Sequence, residues 1–232
     1  MKKALLILVL ASVLAGGVFA QWSKPDLVQS VGIASGYEFY NTKSDSGDSS
    51  ASAVPLLMYF DITYLTLHAG LSFVTAKDVP KYSIGGNFLG TTDYTRLYVP
   101  LGLLLKYPLT FGEKRNIRVF PQAGIEYRLF LSDEYGGRDA YDTLGSLMQI
   151  DNYSAQFLDQ FSILGGLGGE VDLPTIGGVE GLYIRFNCLA DIQIPSKEEK
   201  DLDDSTSHFG MKFQLAVGFK VGAANLSGTK AE

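Results

Sequence analysis

The run from His208 to Val221 constrains the fold more than any other stretch. Phe209, Met211, Phe213, Leu215, Val217, Phe219 and Val221 occupy alternate positions, with Gly210, Lys212, Gln214, Ala216, Gly218 and Lys220 between them. Successive side chains of a strand point to opposite faces, so one face is wholly apolar and the other small or charged. A globular strand typically runs ~5–6 residues. This one suits a tilted bilayer crossing, which takes roughly 9–11 residues. It reads as one stave of a membrane β-barrel.

Seven earlier stretches carry the same alternation. They run from about Gln29 to Tyr40, Val54 to Thr63, Leu65 to Phe73, Tyr94 to Tyr107, Arg118 to Leu131, Phe157 to Val171 and Leu182 to Gln193. Long polar segments separate some of them: Asn41 to Ala53, Thr75 to Asp93, Ser132 to Gln156 and Pro195 to Ser207. The reversals near Thr63 to Leu65, Pro108 to Asn116 and Asp172 to Glu180 are short and force antiparallel neighbours. Long and short connections therefore alternate around eight strands, the layout of an outer-membrane barrel. Within the longest loop, Leu144 to Ile150 reads as a short helical turn.

Some residues disturb the pattern. Ser35 interrupts an apolar face, and Phe120 and Phe130 fall on a polar one. Pro100 has no N–H to give a ladder, so a bulge or local widening is expected there. Four glycines lie between Phe157 and Val171, where the sheet is expected to bend sharply.

The first twenty residues form a separate unit. Lys2 and Lys3 precede an apolar stretch, Ala4 to Leu14, and Gly16, Gly17, Val18 and Ala20 supply small residues before Gln21. This is the pattern of a cleaved secretory signal. An uncleaved anchor would want about twenty apolar residues. The expected organisation is a signal over 1–20 and one barrel domain over 21–232. The formal charge of −6 becomes −8 once Lys2 and Lys3 are removed, which argues against nucleic acid as a partner. The single Cys188 cannot form an internal disulfide.

Alternation alone does not say which face is outside. A secreted, lipocalin-like ligand-binding cup would turn its apolar face inward. Here the other face is rich in Gly, Ala, Ser and Thr, which suits the narrow interior of an eight-stranded barrel. It also mixes charges: Glu38, Asp61, Arg96, Lys106, Glu126, Arg128, Glu170, Arg185, Asp191, Lys212 and Lys220. Opposite charges crowded into a lumen can pair, which offsets their burial. These eleven are the expected lumen charges, in a structural role.

With the strands placed, the chain resembles the small outer-membrane β-barrel family, the OmpA/OmpX/OmpW-like proteins of diderm bacteria. The likeness is carried by Leu97 to Tyr107, Pro121 to Tyr127 and the closing Phe209 to Val221, and it is one of pattern along nearly the whole mature chain. The resemblance implies a closing signal read by the barrel assembly machinery. Gln214, Phe219 and Val221 fit it, while Ala216 stands where glycine is usual and eleven residues follow Val221.

Little in the chain suggests chemistry. His68 is expected to point inward, either as a hydrogen-bonded lumen residue or as part of a hydrolase or acyltransferase site. His208 is expected to be solvated. Glu198, Glu199, Asp201, Asp203 and Asp204 lie in one loop, read as a solvated acidic segment before a cation site. Gly165 to Gly169 lacks the Lys and Ser/Thr of a phosphate loop. No catalytic, cofactor or metal residue is expected. The resulting expectation is a monomeric outer-membrane protein with a charged, plugged lumen and long acidic extracellular loops. Its role is structural or surface-interacting, and its partners are membrane lipids, lipopolysaccharide and the assembly machinery. A narrow small-solute channel is the alternative, and a secreted cup a less favoured one.

Overall fold

Eight long strands follow one another in the computed structural model, which describes residues 29–43, 48–82, 88–111, 116–133, 136–137, 159–176, 178–195 and 207–221. They are β1 Gln29–Lys43, β2 Ser49–Ile62, β3 Leu65–Tyr82, β4 Phe88–Lys106, β5 Ile117–Asp133, β6 Gln160–Asp172, β7 Leu182–Ile194 and β8 Ser207–Val221. Two short stretches, Leu109–Phe111 and Gly136–Gly137, pair with opposite ends of β5. Each long strand is antiparallel to the one before it, from β1–β2 round to β7–β8. β8 then pairs with β1 along its whole length, Gln29 against Val221 through Lys43 against Ser207. The ring is closed, and closure removes the exposed edges an open sheet would present.

The direction of the two faces follows from contacts that skip strands. β5 is laddered to β4 and β6, yet its Arg128 reaches Glu38 on β1 and Asp191 on β7. Such contacts are possible only across the lumen, so the buried parity faces inward. The other parity faces out and is apolar: Met58 is 72% exposed, Leu105 61%, Ile33 60% and Leu215 58%.

The prolines have local remedies. The β1–β2 ladder pairs Ser35 with Leu56 and Glu38 with Ala53, and is interrupted between, where Pro55 lacks a donor. Ser35 Oγ donates to the Pro55 carbonyl at 2.8 Å. The hydroxyl that breaks the apolar face thus satisfies a backbone acceptor in a region without water. Beside Pro100, the β3–β4 ladder skips from Ala69–Leu101 to Ser72–Tyr98. On the other side of β4 the register shifts: Leu97 faces Ser132 and Tyr98 faces Phe130, leaving Leu131 as the extra residue of a bulge.

Three strand limits differ from the sequence reading. β2 begins at Ser49, β3 continues to Tyr82 and β4 begins at Phe88, so the expected loops 41–53 and 75–93 are largely hairpin. Apolar alternation marks only the part of a strand with an apolar face to cover. Beyond it the backbone ladder continues with a polar outer face, as where Thr75 pairs with Thr95. The sixth-strand glycines also act differently from a simple bend. A Cβ on Gly168 would lie 2.1 Å from the Phe120 ring, whereas Gly165 and Gly169 border open space. Gly168 makes room for an aromatic side chain inside the barrel. The expected signal segment, the helical turn at Leu144 to Ile150 and the acidic loop residues Glu198 to Asp204 lie outside the described residues.

Candidate functional site: the charged lumen

Inward side chains are arranged in layers. The end carrying Gln29, Val221 and the Thr63–Tyr64 turn is called lower here. Near it sit Asp61, Lys106, Arg118, Glu170, Asp172, Arg185 and Lys220. Lys106 Nζ lies 2.8 Å from Asp61 Oδ1, and Arg185 contacts both Asp61 and, at 2.7 Å, Glu170. Arg118 bridges Glu170 at 2.7 Å and Asp172 at 2.9 Å. Lys220 pairs with Glu170 at 3.3 Å and with Asp172. Aromatic faces support these cations: Arg185 lies 4.9 Å from the Tyr59 ring and 5.3 Å from Tyr183, and Lys106 lies 5.2 Å from Phe120.

A hydroxyl chain runs from this cluster toward mid-lumen. Tyr59 donates to Tyr183 at 2.8 Å, Tyr183 and Ser30 share a bond of 2.9 Å, and Ser30 donates to Asp61 at 3.2 Å. Thr66 also donates to Asp61. The middle layer holds Leu104, Leu164 and Leu189 packed together. Beside them is a cavity of about 20 Å³ lined by residues that include Tyr59, Thr66, His68 and Gln214.

Above lies a second cluster. Arg128 Nε is 2.7 Å from Glu126 and its terminal nitrogen is 2.8 Å from Asp191 and 3.5 Å from Glu38. Lys212 Nζ is 2.5 Å from Glu126, 3.2 Å from Asp191 and 3.6 Å from Glu38. The Tyr40 hydroxyl donates to Glu38 and accepts from Arg128. Tyr40, Ala53, Val74, Tyr98 and Phe130 form a buried apolar cluster, which Tyr40 joins to these charges. Phe130 is fully buried, and Tyr98 meets it edge to face at 5.9 Å between centroids.

Ten of the eleven expected lumen charges are buried in these two clusters: Glu38, Asp61, Lys106, Glu126, Arg128, Glu170, Arg185, Asp191, Lys212 and Lys220. Arg96 stands apart, half-buried near the upper rim, 3.7 Å from Asp133. Arg118 and Asp172 complete the lower cluster, and sequence reasoning left both out because they fall at strand ends. Their parity was the available signal, since Arg118 shares a face with Phe120 and Gln122, and Asp172 with Glu170. Phe120 and Phe130, which seemed out of place on a polar face, lie under Lys106 and against Tyr98 respectively.

His68 points into the lumen and its Nε2 lies 2.8 Å from Glu126 Oε2. The other oxygen of Glu126 is held by Arg128 and Lys212, so this carboxylate is a structural acceptor committed on both sides. His208 is half-buried, with Nδ1 2.7 Å from Thr42 Oγ1, rather than freely solvated. Among the described residues no cluster of His, Cys, Asp and Glu has the makings of a metal site.

Taken together, fold and interior define a closed eight-stranded barrel with its greasy face outward and its ion pairs inward. No protein-family model and no curated protein matches the chain. Among solved structures it is similar to the Neisserial surface protein A, NspA, at 10% identity over 83% of this chain and 97% of that one, with a TM-score of 0.40. OprG, an outer membrane protein from Pseudomonas aeruginosa, has 13% identity over 84% and 96% of the two chains, with a TM-score of 0.39. Ail of Yersinia pestis, the attachment invasion locus protein, solved with the heparin analogue sucrose octasulfate, has 12% identity over 82% and 99%, with a TM-score of 0.33. At these scores the architecture rests on the strand pairing itself.

Proposed function

We propose that this chain is an integral outer-membrane β-barrel protein that is exported by its N-terminal segment and does not conduct. One observation carries the reading. Outward residues on the described strands are large and apolar, while the charged residues reach one another only through the lumen. Water on the outside would leave that apolar belt exposed, far beyond the few hundred Å² a soluble monomer tolerates. Lipid removes the difficulty, and closure satisfies the backbone within it.

The interior favours a structural or surface-interaction role over a solute channel. Two ion clusters, a leucine layer and an aromatic plug succeed one another along the axis. An eight-stranded barrel is just wide enough for side chains to fill. The long connections, acidic in sequence, would face outward, and lipids and lipopolysaccharide are the natural partners of a monomer in that bilayer. No residue is assigned a catalytic role.

Two measurements test this. In cell fractionation the protein is expected in the outer membrane, with gel mobility that changes on heating. Recovery in the soluble periplasm would end the membrane reading. In a planar bilayer the folded protein is expected to give no discrete conductance steps. Reproducible unit conductance would replace the plugged barrel with the narrow channel.

A further inference from the structure

The middle of the lumen carries a directed set of hydrogen bonds that ends in a cavity. Gln122 Nε2 donates to Asn187 Oδ1 at 3.1 Å, and Asn187 Nδ2 donates to Gln214 Oε1 at 3.5 Å. In these two bonds Asn187 and Gln214 each accept through the amide oxygen. That leaves Gln214 Nε2 as the terminal donor, and it is buried with no protein partner. Gln214 is 4% exposed and lines the mid-lumen cavity. A buried donor left unsatisfied is costly and calls for a partner.

Hydroxyl oxygens elsewhere in the lining are acceptors. Tyr59 has given its proton to Tyr183, and Thr66 has given its proton to Asp61, so each hydroxyl oxygen retains lone pairs. Both residues line the same cavity. Its volume of about 20 Å³ exceeds the roughly 10–15 Å³ that one water needs. The small side chains of Ala34 and Ala216, directly paired across β1 and β8, leave this space open.

We propose that this cavity is a binding site for one long-lived water molecule. The water accepts from Gln214 Nε2 and donates to acceptors of the lining, the Thr66 hydroxyl oxygen among them. The polarity of the walls selects water over an ion. A halide would face two oxygen lone pairs, and a cation would face the Gln214 donor and Arg185, which also lines the cavity. The bound water joins the amide chain to Thr66, whose hydroxyl donates to Asp61. It thereby ties the middle of the lumen to the lower ion cluster.

The test is water-to-protein NMR transfer on the 15N-labelled, folded barrel in detergent micelles. The Gln214 side-chain amide is expected to show a direct cross-peak to water, of the sign that marks a slowly tumbling, bound molecule. Ala216→Val and Ala34→Val each add methyl groups to the cavity, and each is expected to abolish that cross-peak in a spectrum that remains dispersed. Absence of the peak in the wild-type barrel would overturn the proposal even if neither variant folds. So would survival of the peak in both filled variants, or a Gln214 amide shift that titrates with added chloride or ammonium.

Discussion

Lys212 Nζ lies 2.5 Å from Glu126 Oε1, although β8 and β5 share no ladder. The pair spans the lumen, and both side chains are fully enclosed. Glu126 also holds Arg128 and His68, and Lys212 also meets Asp191 and Glu38.

Removing Lys212 alone should therefore be severe. Lys212→Met leaves Glu38, Glu126 and Asp191 with Arg128 as their one fully charged partner. Loss of one member of a buried ion network costs about 3–5 kcal/mol. Equilibrium urea unfolding from lipid vesicles should show a loss of that size. Adding Glu126→Gln should restore part of it, because contacting residues are not additive. Strict additivity would remove the coupling.

The outer face has its own test. Leu215 is 58% exposed and lies outward in β8. Leu215→Arg should cost about 2–4 kcal/mol of folding free energy in the bilayer, and Ser207→Arg, at the rim of the same strand and parity, only about 0–1. The same urea titration compares them, and equal costs would mean that lipid does not cover this face.

Two glycines of β6 should respond oppositely. Gly168→Ala drives a methyl into the Phe120 ring, and overpacking of this kind costs about 1–3 kcal/mol. Gly165→Ala meets open space and should be near neutral. Combining Gly168→Ala with Phe120→Leu should recover folding yield, read as the fraction of heat-modifiable species on a gel.

Ser35→Ala removes the donor to the Pro55 carbonyl. An acceptor left unpaired costs about 1–3 kcal/mol. Hydrogen–deuterium exchange should report it as faster exchange confined to β1 and β2 around Ser35 and Pro55, with the β5–β6 ladder unchanged.

How far the chain can be read without coordinates depends on what each residue must satisfy. The eight strands are legible because lipid enforces alternation: Phe213, Leu215 and Val217 have one tolerable direction. The extended β3–β4 hairpin was not, because above the apolar belt the backbone pairs without demanding a greasy face. Arg118 and Asp172 were lost to strand-end uncertainty, although their parity was correct for the lumen. Phe120 and Phe130 looked like errors of alternation because the sequence shows only polarity. In three dimensions an aromatic can serve a lumen, as a face for Lys106 or as an edge-to-face partner of Tyr98. The partners of Lys212 sit on β1, β5 and β7. No local pattern encodes which strands face each other across a ring.

Among the described residues the two lumen clusters contain six carboxylates, Glu38, Asp61, Glu126, Glu170, Asp172 and Asp191, and six basic side chains that pair with them as cations, Lys106, Arg118, Arg128, Arg185, Lys212 and Lys220. Lys212 and Lys220 both arrive on β8. A chain interrupted before β8 would hold four of these cations against six anions. The final segment is therefore a keystone in the electrical sense as well as the geometric one. A product truncated before β8 lacks two of the six countercharges together with the strand that closes the ring.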